Sequence, residues 1–168
     1  MKIGVISDTH DHMENIRKAV SIMNERNIDA LIHCGDYVSP FTFRVFDELN
    51  ERIKENFHGV FGNNDGDRVF LKENLGQICN FVGMELISEF DGKKIFAAHL
   101  PNEETVDAIA RSGIFNIILY GHTHSQLINK YDNGVLVVNP GEACGYLSGK
   151  STFAIVDTEK MDAEIIEI

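Results

Sequence analysis

Apolar runs alternate with stretches of helical period along this chain, and most of the apolar runs stop at polar residues. "KIGVIS" is a short apolar run that stops at Asp8. In "IRKAVSIM", Ile16, Ala19, Val20 and Met23 recur at i, i+3, i+4, i+7, which predicts one apolar helix face. "DALIHCGD" predicts a second buried strand. Ser39-Pro40 reads as the cap and first residue of a helix whose apolar face continues through Phe46, Leu49 and Ile53. "FHGVFGNND" predicts a third strand and its exit loop. This β-α-β-α-β order over the first 65 residues is the signature of a parallel sheet with crossover helices.

The second half is richer in strands and predicts mixed or antiparallel pairing. "MELISEF" and "KIFAAHL" flank a turn at Asp91-Gly92 and predict a hairpin. Val106, Ile109 and Ala110 mark a short helix that Gly113 ends. "NIILYGHTH" predicts another strand, "INKYDNGVLVVNP" a hairpin around Asn133-Gly134, and "TFAIVDTEKMDAEIIEI" further strand. No repeat, low-complexity tract or long linker divides the chain, so a single domain over residues 1–168 is expected.

Composition narrows the class. At 168 residues and 43% hydrophobic, the chain has enough apolar material for one core. No apolar run approaches the roughly 18 residues of a membrane span, and the first run is too short for a signal peptide. A cytoplasmic location without membrane association is therefore expected. The formal net charge of −11, with no basic tract carrying interleaved aromatics, argues against a long nucleic acid as partner. Cys34, Cys79 and Cys144 form no CxxC pair and read as buried thiols. The strand-rich half could offer an edge for self-association, so a homo-oligomer is open.

The polar residues that end the strands carry the chemistry. Five apolar strands end in Asp8-Thr9-His10, Gly35-Asp36, Gly62-Asn63-Asn64-Asp65, His99 and Gly121-His122-Thr123-His124. Open α/β sheets form their sites outside the carboxyl ends of strands. The "FGNNDGD" stretch is a turn by composition, and it is no EF-hand loop, because Phe61 would stand where the first Asp is needed. Asp8, His10, Asp36, Asn63, His99, His122 and His124 together offer seven N and O donors, close to what two metal ions require. No thiolate is among them, which points to Mn²⁺, Fe²⁺, Co²⁺, Ni²⁺ or Zn²⁺. Asp36 is the natural carboxylate to bridge two ions, a device suited to in-line displacement at phosphorus.

The ordered set "DTH", "GD", "GNND", a strand-terminal His and "GHTH" resembles the calcineurin-like metallophosphoesterase superfamily. The short chain, "GNND" and "NPGEACGYLSG" resemble its small YfcE-like phosphodiesterases. The resemblance implies an α/β fold, a four-layer α/β/β/α sandwich with two mixed β-sheets. It implies two divalent transition-metal ions, Mn²⁺ first, with Ni²⁺, Co²⁺, Fe²⁺ or Zn²⁺ as alternatives. Asp8, His10 and His124 would bind one ion and Asn63, His99 and His122 the other, with Asp36 shared. The implied activity is hydrolysis of a small phosphodiester, nucleotide-type substrates included, by a hydroxide held between the ions. A phosphomonoesterase of the same superfamily, and a non-catalytic scaffold resembling the retromer subunit, are the alternatives.

Two positions depart from the family pattern. Asn64 stands where many members carry a His, and a neutral amide can bind a phosphoryl oxygen but cannot serve as a general acid. Leu100-Pro101 follows His99 where His-Gly-His is common, so one substrate contact is in question. Asp65 is expected to hold the loop without binding metal, and His12 is a candidate proton donor at the site mouth. Arg68 could meet a phosphate or pair with Asp65 or Asp67. His33 reads as core or support and His58 as structural. Glu142 and Tyr146 lie in a Gly-rich turn and could line the site or an oligomer contact.

Overall fold

The computed structural model describes all 168 residues. In chain order, β1 (Lys2–Ile6), α1 (Met13–Glu25), β2 (Ala30–His33), a 3₁₀ turn (Pro40–Thr42), α2 (Phe43–Phe46), α3 (Glu51–Lys54) and β3 (Phe57–Val60) build the first half. They are followed by α4 (Arg68–Leu75), β4 (Asn80–Gly83), β5 (Glu85–Phe90), β6 (Lys93–Ala98) and α5 (Glu103–Ser112). β7 (Ile117–Tyr120), β8 (Gln126–Lys130), β9 (Leu136–Pro140), β10 (Thr152–Asp157) and β11 (Asp162–Glu167) complete the chain. One sheet has the order β11-β10-β1-β2-β3-β4, the other β5-β6-β7-β9-β8. β1 to β4 run parallel, β10 lies antiparallel beside β1 and β11 antiparallel beside β10, and β6, β7 and β9 run parallel between antiparallel β5 and β8.

Both faces of the central strands are apolar, so each sheet must be covered twice. Ile3, Val5, Ile32, Val60, Ile95, Ile117, Leu119, Leu136 and Val138 meet between the sheets in one buried cluster. The outer face of the first sheet packs Ile6, Leu31, Phe57 and Phe153 on Ile16, Val20, Met23, Phe46 and Leu71 of the helices. The outer face of the second packs Phe96, Ile118 and Val137 on Val106 and Ala110 of α5. The result is the four-layer α/β/β/α sandwich with two mixed sheets. Each fully buried Leu, Ile, Val or Phe side chain contributes on the order of 1.5–3 kcal/mol, which makes these three clusters the main source of stability. No helix is long and apolar enough to cross a membrane.

Two expectations need correction. The helix expected from Ser39 through Ile53 is broken into the 3₁₀ turn, α2 and α3. Its apolar residues are buried as anticipated, but Asn50 is extended at φ −59°, ψ 147°. Asn24 of α1 supplies the reason: its amide donates to the Glu48 carbonyl and its oxygen accepts from the Asn50 backbone. Those two bonds replace helical ones, so the break costs little. The second correction is an addition. Between Asp65 and Met84 the chain forms α4 and β4, which extend the parallel sheet by one unit. Asp67 caps α4 by accepting from the Phe70 amide at 3.0 Å.

Two of the three turns anticipated from glycine show the backbone that residue permits. Asp91 and Gly92 have φ of 52° and 70° between β5 and β6, the pair of positive values that suits a tight hairpin. Gly113 ends α5 at φ 66°.

Candidate metal centre

The carboxyl ends of β1, β2, β3, β6 and β7 converge, and they bring Asp8, His10, Asp36, Asn63, His99, His122 and His124 into one cluster. His10 Nε2 lies 3.5 Å from Asp36 Oδ2 and 3.9 Å from Asp8 Oδ1. His99 Nε2 lies 3.2 Å from Asp36 Oδ2, 4.0 Å from Asp8 Oδ1 and 3.1 Å from Asn63 Oδ1. His124 Nε2 lies 3.3 Å from Asp8 Oδ1. The rings of His10 and His124 are 5.4 Å apart, and those of His99 and His122 are 5.3 Å apart. Asp36 thus stands between the two pairs of rings, within reach of His10 from one and His99 from the other.

Backbone hydrogen bonds fix this arrangement before any ligand arrives. The Asp36 carbonyl accepts from the Thr9 and His10 amides, and the Gly35 carbonyl accepts from Asp8. His122 donates its amide to Asp8 Oδ2 at 3.0 Å. His33, fully buried, accepts from the Gly35 amide through Nδ1 and therefore donates from Nε2 to Thr9 Oγ1. It ties the first two loops together, as a support and not as a member of the cluster. Ten non-glycine residues have positive φ, and seven of them are Asp8, His10, Asp11, Asp36, Val38, His122 and His124. Such backbone is uncommon outside glycine, tolerated by Asp and His and costliest for β-branched Val38, and it is concentrated in these loops.

The loops also leave no room for an extra methyl. A Cβ on Gly62 would occupy the space of the Asp36 carboxylate, and one on Gly121 would strike Ser7 Oγ and Asp8 Oδ2. Glycine at these two strand exits is required by close approach to the clustered carboxylates.

The electrostatics follow from crowding two carboxylates and four imidazoles together. Burial works against the charged form of Asp36, but the His99 ring and the Asn64 amides hold its carboxyl well below the usual range. His10 is raised by its contact with Asp8. His99 is raised too, because Asp36 and Asp8 outweigh its burial. Its Nδ1 donates to the Cys34 carbonyl at 2.7 Å, so Nε2 faces two oxygens and invites either a proton or another cation. His122 is lowered by burial and by neighbouring His99.

Two of the three buried side-chain polar atoms without a hydrogen-bond partner are Asp8 Oδ1 and His10 Nε2. An orphaned buried polar atom costs on the order of 1–3 kcal/mol, and both face the centre of the cluster. Asp8, His10 and Asp36 offer one ligand atom each within 4.8 Å of one another. An all-N/O donor set with two orphaned lone pairs fits a divalent transition-metal ion.

Other singled-out residues fall outside the cluster. Asp65 accepts from the Val38 amide at 2.8 Å and the Gly62 amide at 2.7 Å, tying its loop to that of Asp36. Asn64 donates to both oxygens of Asp36. His12 caps α1, its Nδ1 accepting from the Asn15 amide, and only Nε2 is left for proton transfer. Arg68 pairs with neither Asp65 nor Asp67; it donates to the Gly62 carbonyl at 2.8 Å and lies over the Phe61 ring. His58 packs edge-on against Phe90, away from the site.

Glu142 is the residue whose place the motifs did not decide. It is fully buried and accepts from His124 Nδ1 at 2.8 Å. Burial opposes its charge, but His124 and the Ser148 amide hold its carboxyl down to about 2. Cys144 also reaches the site edge, with His10 and His124 nearby. Its thiol is pushed up to about 12 by burial, and it donates to Glu142 as a neutral group. A surface groove of about 650 Å³ between α3 and α4 contains none of these residues.

Known proteins give a consistent picture. A family model, the calcineurin-like phosphoesterase superfamily domain, matches residues 1–161. A phosphodiesterase of Methanocaldococcus jannaschii is 44% identical over 164 residues, which is 96% of each chain. A solved archaeal phosphodiesterase superposes over 100% of both chains with TM-score 0.90 at 43% identity. YfcE, a phosphoesterase from E. coli, shares the fold over 100% of both chains, with TM-score 0.69 and 17% identity. This chain belongs to the calcineurin-like phosphoesterase superfamily.

Proposed function

We propose that the chain hydrolyses small phosphodiesters with two divalent transition-metal ions, Mn²⁺ first among them. Asp8, His10 and His124 would hold one ion, Asn63, His99 and His122 the other, and Asp36 would be shared. The observation that carries this reading is the pair of orphaned atoms, Asp8 Oδ1 and His10 Nε2, facing a cluster of N and O donors. The phosphodiesterase named among the similar proteins, 44% identical over nearly the whole chain, supports the reaction class. Such ions, when bound, activate water and neutralise charge on the non-bridging phosphoryl oxygens.

The chain's own residues do the rest. Asp8 and Asp36 bring negative charge to the centre, and the backbone amides of His122 and Asn64 hold their carboxylates in place. Asn64 has two amide hydrogens; Asp36 accepts one, and the other is free to meet a phosphoryl oxygen. Asp65 keeps the Asn63-Asn64 turn in register with the Asp36 loop.

No strong general acid stands at position 64. Leaving groups that need little protonation, as in aryl diesters, should therefore react best, and alkyl esters poorly. The retromer-like scaffold reading lacks support here, since every one of the seven clustered positions keeps a metal-binding side chain. The test is a matched panel of aryl phosphodiesters and monoesters, with and without Mn²⁺. Metal-dependent turnover that favours diesters is expected. Turnover that survives complete metal removal, or a preference for monoesters, would overturn the proposal.

A further inference from the structure

Glu142 belongs to none of the strand-end motifs, yet its carboxylate collects four donors. His124 Nδ1 donates at 2.8 Å, Cys144 Sγ at 3.1 Å, the Leu147 amide at 3.0 Å to Oε1, and the Ser148 amide also to Oε1. The ring of His124 is thereby committed. Its Nδ1 faces a carboxylate, and its Nε2 faces Asp8 Oδ1. An imidazole binds a metal only through a nitrogen without a proton, and the partner of the other nitrogen decides which one that is. His99 provides the contrast within the same site. Its Nδ1 donates to a neutral carbonyl, that of Cys34, and not to a charged acceptor.

We infer that Glu142 is the positioning residue of His124: it fixes the proton on Nδ1, sets the ring plane and makes Nε2 the stronger donor toward one of the two ions. The ion on the Asp8, His10 and His124 side thus depends on Glu142, and the ion on the His99 side does not. The part about ions rests on the two-metal reading above; the part about the tautomer does not.

Glu142 also anchors the Gly145–Gly149 turn, so a loss of function on substitution could come from loosening that segment. Asn15 separates the two explanations. Its amide donates to the Ala143 and Cys144 carbonyls and to Ser151 Oγ, bracing the same segment without touching His124. Asn15→Ala loosens the turn, while Glu142→Gln keeps the shape and the acceptor for the turn but removes the charge.

Two measurements on the full chain decide the matter. The first is ¹⁵N-correlated NMR of the His124 ring in the metal-free protein, followed upward in pH until the ring carries a single proton, whose position is then read. The Nδ1–H form is expected in the parent and a mixture of forms in Glu142→Gln. The second is Mn²⁺ titration followed by calorimetry and electron paramagnetic resonance. Glu142→Gln should weaken one of two ions about 10–100-fold and leave the other unchanged. Asn15→Ala should leave both unchanged. Equal weakening in the two variants, or none in Glu142→Gln, overturns the inference, as does an Nε2–H form of His124 in the parent. A parent that binds no Mn²⁺ overturns the two-metal reading instead, and the NMR result then decides the role of Glu142 alone.

Discussion

Asn64 grips both oxygens of Asp36, its backbone amide donating to Oδ1 at 2.8 Å and its side-chain amide to Oδ2 at 2.8 Å. The residue that stands where many relatives keep a histidine is therefore tied to the central carboxylate. Asn64→Ala removes the side-chain bond and keeps the backbone one. We expect it to bind Mn²⁺ nearly as the parent does while losing turnover, by up to about 10²-fold if the amide steadies developing charge. Equal losses in affinity and turnover would assign Asn64 to holding Asp36 alone. Asn64→His adds a group able to protonate a leaving oxygen and should raise turnover of substrates with poorer leaving groups. A uniform loss across the panel would contradict that expectation.

Close approach makes glycine a requirement at two strand exits. Gly62→Ala forces a methyl into the space of the Asp36 carboxylate. The fold can absorb overpacking at a cost of about 1–3 kcal/mol, visible as a lower melting temperature. The carboxylate cannot keep its place, so Mn²⁺ affinity should fall by roughly an order of magnitude or more. A variant that melts lower but binds Mn²⁺ like the parent would show that the loop, and not Asp36, gives way.

Proton competition sets the pH dependence. In the metal-free protein His10 and His99 are raised above the ordinary 6.5 by Asp8 and Asp36. A folded-state value above the unfolded one stabilises the metal-free fold fully below about 6.5, and that gain is lost as pH rises through the raised values. Metal binding runs the other way, since the ion needs the neutral rings. Mn²⁺ affinity should climb through pH 6.5 and go on climbing above it, and calorimetry in buffers of different ionisation enthalpy should register proton release at pH 7. His122 is lowered by burial and by His99, so a proton competes with the ion there less than at His10 or His99. Affinity that is flat between about pH 6 and 8 would argue against these two histidines as ligands.

Ion binding should also report itself as stability. A ligand at one hundred times its dissociation constant adds about 2.7 kcal/mol to the folded state. The melting temperature should therefore rise with Mn²⁺ concentration in the parent and rise far less in Asp36→Asn, which weakens the shared carboxylate. An identical rise in both would place the bound ion elsewhere.

Much of this was legible in the chain. The seven clustered positions all stood at the ends of apolar strands, because a buried strand is easily read and the residues just past its carboxyl end must lie at the sheet's edge. The layers were implied by motif order, since periodicity alone does not say which strands share a sheet. The helix break at Asn50 was not legible, for it depends on a side chain of α1 that is distant in sequence. α4 was missed because its first turn comes after an Asp-Gly-Asp stretch that reads as loop, although Asp67 is a sound cap. Glu142 gave only a weak signal: an acid in a Gly-rich turn becomes meaningful once His124 is seen to donate to it.

Metal stoichiometry in the active chain tests the central claim most directly. Purified protein, stripped and reloaded with Mn²⁺, should carry two ions per chain at full diester hydrolysis, with activity rising as the second ion binds. Full activity with a single ion per chain, or with none, would contradict the account.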